Sequence, residues 1–116
     1  MNRYVLLFRG GAVVHKELAP AELGAHLEKW RTWLDQLAKR EVVEPNGPRL
    51  QLTGRTLRGR GKAVTDGPFA EAKDMVTGQI IVRAESLDAA AAIASECPVY
   101  EYDGSVEVRP IFEMRG

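Results

Sequence analysis

The segment Arg3–Arg9 (RYVLLFR) constrains the fold most, because five consecutive residues within it are apolar or aromatic. In a β-strand, successive side chains point to opposite faces, so Tyr4, Leu6 and Phe8 share one face and the residues between them share the other. Both faces then need apolar cover. The segment is also too short, and too soon interrupted by Arg9 and glycine, to be a secretory signal or a membrane span. We therefore expect a strand that is covered on both faces.

Two helices are predicted, one in each half of the chain. Between Pro20 and about Arg40 the apolar positions recur at spacings of three and four, which is typical of an amphipathic helix of about five turns. They are Leu23, Leu27, Trp30, Leu34, Leu37 and Ala38. A second helix follows Ser86, a favourable N-cap, and runs from Leu87 to about Glu96 with a stripe of small residues that lets it lie close to a sheet.

The remaining segments indicate strands and turns. The run 45–48 (PNGP) should break regular structure, and the chain then forms a strand near residues 50–56 and a second one at 62–65, joined by a glycine turn. A central strand is expected at 76–84. A last strand is expected at 106–114, at an edge or an interface because Pro110 removes one ladder bond. The order is that of an α+β, ferredoxin-like split βαβ with an inserted β-hairpin, in one domain over residues 1–116.

One face of this sheet is left without a helix, since two helices cover only one side. Val5 and Leu7 nevertheless offer apolar side chains to the uncovered side. The strand pattern places a polar set on the same side, namely Gln79, Arg83, Glu107 and Arg109. Buried charges are normally paired or used, so in a closed dimer either a Glu107–arginine interface salt bridge or an anion-holding cleft is expected. A homodimer that packs two sheets face to face, as a dimeric α/β barrel, covers this face most simply.

Composition narrows the classes of function. The 16 Lys+Arg balance 16 Asp+Glu, so the chain has no excess of positive charge and nucleic acid is not an expected partner. Its single cysteine, Cys97, forms no intrachain disulfide, which fits a reducing, cytoplasmic setting. There is no metal-ligand spacing, and the glycine pairs lack the strand–turn–helix context of a phosphate site. We expect neither a metal nor a cofactor, and no membrane association.

Three motifs carry a resemblance to a known family. They are Tyr4–Gly11 (YVLLFRGG), the run 64–73 (VTDGPFAEAK) and the run 104–110 (GSVEVRP). Together they closely resemble the DGPF branch of the YCII-related family over nearly the whole chain. The resemblance implies a dimeric α/β barrel, and an association with extracytoplasmic-function sigma factors. Enzymatic members resemble small dehydrochlorinases that use a histidine on the first helix and an aspartate after the second. Here the first helix carries His26, and the second is followed by Glu96-Cys97-Pro98.

Two candidate catalytic residues emerge, each with a structural alternative. His26 has the right chemistry for acid–base work near neutral pH, or it is a histidine stacked on tryptophan at the edge of the apolar stripe. Asp66 could act as a base or orient a histidine, or its carboxylate could hold the Asp-Gly-Pro turn while Phe69 plugs the core. The predicted substrate-binding residues are Trp33, Phe69, Gln79, Arg83 and Arg109, with Trp30 in the core and Trp33 offset toward a cleft or interface.

Three functions stay open at this stage. The first is a homodimer whose polar cleft binds a small organic molecule, with or without proton transfer of a lyase or dehydrochlorinase kind. The second is a non-catalytic module that senses a ligand or presents its basic hairpin to a regulatory protein such as a sigma factor. The basic residues of this hairpin are Arg55, Arg58, Arg60 and Lys62. In the third, the polar interior only fixes the register of the dimer.

Overall fold

The computed structural model describes residues 1–15, 17–67 and 71–113. The helices and strands are β1 (Asn2–Arg9), α1 (Pro20–Lys39), β2 (Arg55–Arg58), β3 (Ala63–Asp66), β4 (Val76–Ala84), α2 (Leu87–Ala94) and β5 (Ser105–Pro110). Short 3₁₀ helices lie at Ala12–Val14, Ala72–Asp74 and Pro98–Tyr102. The α+β class and the order of the elements are as predicted.

The central sheet is antiparallel, with β1 between β4 and β5. On the side that the helices cover, Tyr4, Leu6 and Phe8 of β1 are buried against Ile80 and Val82 of β4. Ala90 and Ala94 of α2 are also buried in this cluster, because small side chains allow the helix to approach the sheet closely. The Ser86 side chain accepts a hydrogen bond from the Ala89 amide and caps the helix as predicted. One face of the central strand is therefore fully packed.

The buried stripe of α1 differs from the predicted one. The buried residues are His26, Trp33 and Leu37, whereas Leu23 and Ala38 are exposed. The buried stripe is displaced by about one residue from the predicted one, and it places Trp33 and Trp30 edge-on against Phe8, with ring centroids 6.2 and 4.9 Å away. The expectation that Trp33 lies offset from the core is therefore wrong, and Trp30 is the more exposed of the two.

The segment 42–50 lies along β4, and the run 45–48 within it interrupts regular structure as predicted. The Glu44 and Leu50 amides donate to the Ile81 and Thr77 carbonyls, and the β4 amides of Gln79 and Arg83 donate back to Pro48 and Val42. These bonds make an irregular fourth strand along the free edge of β4. The resulting order is consistent with a ferredoxin-like fold.

The hairpin β2–β3 forms a separate two-stranded sheet. Its first strand, β2, begins later than predicted, at Arg55 instead of near Leu50. Leu57 and Val64 lie opposite each other and are both more than half exposed.

At the other end of the chain β5 is an edge strand, as Pro110 predicts, but it ends at this proline, so Phe112 lies beyond it and is exposed.

No helix in the described ranges is both long enough and apolar enough to cross a membrane.

The close approach of the 42–50 segment to β4 depends on Gly47. A Cβ at this position would lie 2.5 Å from the Gln79 carbonyl oxygen and 2.6 Å from Ile80 Cγ2. We predict that Gly47→Ala lowers the free energy of unfolding by about 1–3 kcal/mol, as overpacking does elsewhere, and weakens protection of the 42–50 amides.

Urea denaturation and hydrogen exchange measure these effects. The matched control is Gly24→Ala in α1, where an added Cβ meets nothing within 4 Å. It should raise stability by roughly 0.5–1 kcal/mol, because alanine favours a helix over glycine. Equal stability of Gly47→Ala and the unmodified protein would show that this edge is loosely attached.

Candidate functional site

His26 belongs to α1 and lies at the centre of a hydrogen-bonded network on the inner side of this helix. The residue is 1% exposed. Its Nε2 accepts a hydrogen bond of 3.0 Å from Trp30 Nε1, which the i, i+4 helical spacing brings alongside. Its Nδ1 lies 3.0 Å from Glu101 Oε1. Because the indole N–H can only donate, Nε2 carries no proton, and Nδ1–H donates to the carboxylate. Both ring nitrogens are thus engaged within the protein.

Glu101 is the acidic partner in this network, and it comes from the 3₁₀ helix Pro98–Tyr102 that follows α2. Its second oxygen pairs with Lys29. The ammonium group of Lys29 and the ring of His26 lower the pKa of the Glu101 carboxyl. Tyr102 adds an edge-on ring contact to His26 at 4.7 Å. Glu101 is not among the residues predicted from the sequence. The signal for it was an acidic residue in the connector after the second helix, a few positions beyond Glu96.

Asp66 is not part of this network. It ends β3, where its side chain is 91% exposed and pairs with Arg55 at 3.2 Å. The following Gly67 has a φ of 79° and donates from its amide to the Gly54 carbonyl, so it takes the turn conformation expected of a glycine there. Phe69 lies outside the described residues. The structure therefore does not bring His26 and Asp66 together, and their catalytic roles stay predictions.

The helix-free face of the sheet carries the other predicted residues. The strand register places Ile81, Val5 and Arg109 in one row across this face. Gln79, Leu7 and Glu107 form the next row. Each row thus puts an apolar residue of β1 between its neighbours. The predicted placement of Gln79, Arg83, Glu107 and Arg109 on this face is confirmed.

Ion pairs organise the rim of the face. Glu107 pairs with Arg9 at 2.9 Å and with Arg109 at 3.7 Å, and both salt bridges lie within one chain. A salt bridge of Glu107 across a dimer interface stays a prediction. Arg3 pairs with Glu44 through two nitrogens and with Glu113 through a third. The Arg3 guanidinium lowers the pKa of the Glu44 carboxyl.

Arg83 stands out on this rim. It lies directly opposite Arg3 across the β1–β4 pair, where like charges repel unless they are neutralised. Glu44 is held in two hydrogen bonds by Arg3, and Arg83 acts on the same carboxyl at longer range, where its charge also lowers the pKa of Glu44. No ion pair to Arg83 at salt-bridge distance occurs within the described ranges, so its guanidinium is less fully neutralised than that of Arg3.

Trp33 is separated from these residues by the sheet itself, since it packs on the helix side against Phe8. The predicted substrate-binding residues therefore do not share one cleft.

In the part of the chain that the structure describes, no group of three or more His, Cys, Asp or Glu side chains is placed to hold a metal ion. Burial raises the pKa of the Cys97 thiol to about 12, so the thiol stays protonated near neutral pH.

Comparison with known families agrees with the fold. The model of the YCII-related domain matches residues 4–115. Because the match covers nearly the whole chain, the chain belongs to the YCII-related family. No curated protein matches it at a significant level. The finer placement in the DGPF branch stays a prediction.

The Glu101 network predicts a pH-dependent stability. A carboxyl whose pKa is lowered by folding stabilises the fold above its ordinary value of 4.5 and loses that contribution as the pH falls through the lowered value. Glu101→Gln keeps an acceptor oxygen but removes the charge. We predict a lower Tm than the unmodified protein near neutral pH, with the difference shrinking below 4.5.

Thermal unfolding measured from neutral pH to below 4.5 tests the prediction. Glu28→Gln is the control, because it removes an exposed ion pair with Arg31, and such pairs contribute little. A constant difference in Tm across the range would contradict an electrostatic role for Glu101.

Proposed function

We propose that the protein is a homodimer whose two helix-free sheet faces meet and bind a small organic anion between them. The observation that carries the proposal is the uncovered face itself, where Val5, Leu7 and Ile81 form an apolar centre inside a rim of arginines and glutamates. An apolar centre with a polar rim is the usual anatomy of a protein interface. A sheet covered on one face only also leaves its second face without the layer that a stable domain normally packs against it.

The balance of charge on the face favours an anionic ligand. Its rim contains Arg3, Arg9, Arg83 and Arg109, against three glutamates that already pair with three of these arginines. Dimerisation would double the number of Arg83 guanidinium groups and partly remove them from water. An anion that enters the interior would relieve this cost, and arginine suits carboxylates because its planar group donates two parallel hydrogen bonds.

The apolar centre adds a second requirement on the ligand. A carboxylate attached to a flat hydrocarbon group could place its charge at Arg83 or Arg109 and its ring over Val5, Leu7 and Ile81. An aromatic carboxylate is therefore the ligand class that we propose. We assign the ligand to this face instead of to His26, because the histidine is buried and both of its nitrogens are engaged.

Leu7→Lys tests the dimer. A charge placed at the centre of a closed interface has no partner and costs desolvation free energy. We predict that the unmodified protein sediments at twice the chain mass of 12.8 kDa, and that the variant sediments at the mass of one chain. Leu57→Lys, on the exposed hairpin, is the matched control and should remain a dimer. A monomeric Leu57→Lys beside a dimeric Leu7→Lys would move the interface to the hairpin.

Benzoate titrated by calorimetry tests the ligand class. We predict that Arg83→Ala and Arg109→Ala each weaken binding by at least about tenfold, because a charged hydrogen bond is lost. Arg31→Ala, on the outer side of α1, should leave the affinity unchanged. Benzyl alcohol has a similar ring without the charge and should bind more weakly. Equal binding of benzoate and benzyl alcohol would contradict recognition of an anion.

A further inference from the structure

A groove on the other side of the molecule lies between α1 and the turn that follows α2. It has a volume of about 600 Å³, and its lining includes Lys29, Thr32, Trp33, Gln36, Glu96 and Pro98. The helix contributes most of this lining from neighbouring turns, and the residues after α2 form the opposite wall. The groove is separate from the helix-free sheet face, because the sheet and α1 lie between them.

Trp33 gives this groove an unusual property. The residue is 4% exposed, and its indole Nε1 is closed to water with no hydrogen-bond partner in the described structure. Buried polar groups are nearly always paired, since an unpaired donor costs free energy. The other tryptophan of the helix is satisfied, because Trp30 Nε1 donates to His26. The unpaired donor therefore belongs to the tryptophan that lines the groove.

The charged side chains of the groove are already engaged. Lys29 pairs with Glu101, Glu28 pairs with Arg31, and Glu96 lies 3.9 Å from Arg40. An ionic ligand would have to compete with these pairs. The amide of Gln36 and the hydroxyl of Thr32 are exposed at the same wall and can hydrogen-bond to a neutral molecule. The groove thus favours an uncharged ligand.

We infer that this groove binds a small, flat, uncharged molecule whose carbonyl oxygen accepts a hydrogen bond from Trp33 Nε1. Such a ligand supplies the acceptor that the indole lacks, and its planar body would lie between the helix wall and Pro98 on the opposite side. Since Nε1 is closed to water, side chains around it have to move when the ligand enters. Gln36 and Thr32 would hold the amide or carbonyl end of the ligand.

Benzamide is the probe for this site. The chain has two tryptophans, so a ¹H–¹⁵N correlation spectrum of the protein shows two indole N–H signals, and Trp33→Phe identifies which is which. We expect benzamide, at concentrations up to about 10 mM, to shift the Trp33 signal downfield in a saturable way and to leave the Trp30 signal in place. Absence of a shift, or an equal shift of both signals, would overturn the proposal.

Two variants separate binding at the indole from a structural effect. Trp33→Phe should weaken benzamide binding by at least about tenfold, and the exposed change Gln36→Ala by a few fold, when binding is measured by saturation-transfer NMR. Gln36→Ala cannot act through the core, so it remains informative if Trp33→Phe folds poorly. Unchanged affinity in Gln36→Ala, or in a folded Trp33→Phe, would contradict the site. Neither variant changes a residue on the helix-free sheet face, so these results are independent of benzoate binding there.

Discussion

The structure depends on an unequal covering of one strand. β1 is apolar on both sides, yet the helices α1 and α2 pack against only one of them. On that side Tyr4, Leu6 and Phe8 enter a closed core, where burial of apolar side chains supplies the main stabilising free energy. On the other side Val5 and Leu7 lie among charged residues. A second sheet face from another copy would complete the layer that this strand lacks.

The same core determines what His26 does. Trp30 and Trp33 pack around Phe8. In this register of α1, His26 faces inward and is closed to water. Glu101 then meets the ring from the segment after α2, so a hydrogen bond links the first helix to the second half of the chain. In this arrangement the histidine ties two elements together. Its nitrogens have no free position for a substrate proton, although the pairing of histidine with a carboxylate is otherwise suited to acid–base chemistry.

The sequence predicted the fold class, the order of the elements and the residues of the helix-free face, because alternation along a strand depends only on local geometry. It did not predict the rotation of α1, since several registers of an amphipathic helix bury similar apolar surface and the packing of Trp33 on Phe8 decides among them. Glu101 was missed for a related reason. Its contact with His26 spans 75 positions along the chain, and no local pattern records such a meeting. The pairing of the segment 42–50 with β4 was hidden by two prolines, although an edge strand needs few amide donors.

In the proposed dimer a second copy covers the helix-free face. An isotope-filtered nuclear Overhauser experiment on a mixture of labelled and unlabelled chains tests this arrangement. It should show contacts between chains from the methyl groups of Val5, Leu7 and Ile81, while the core methyl groups of Leu6 and Leu37 show contacts only within one chain. Contacts between chains that arise solely from Leu57 and Val64 of the hairpin, or an absence of contacts between chains, would contradict it.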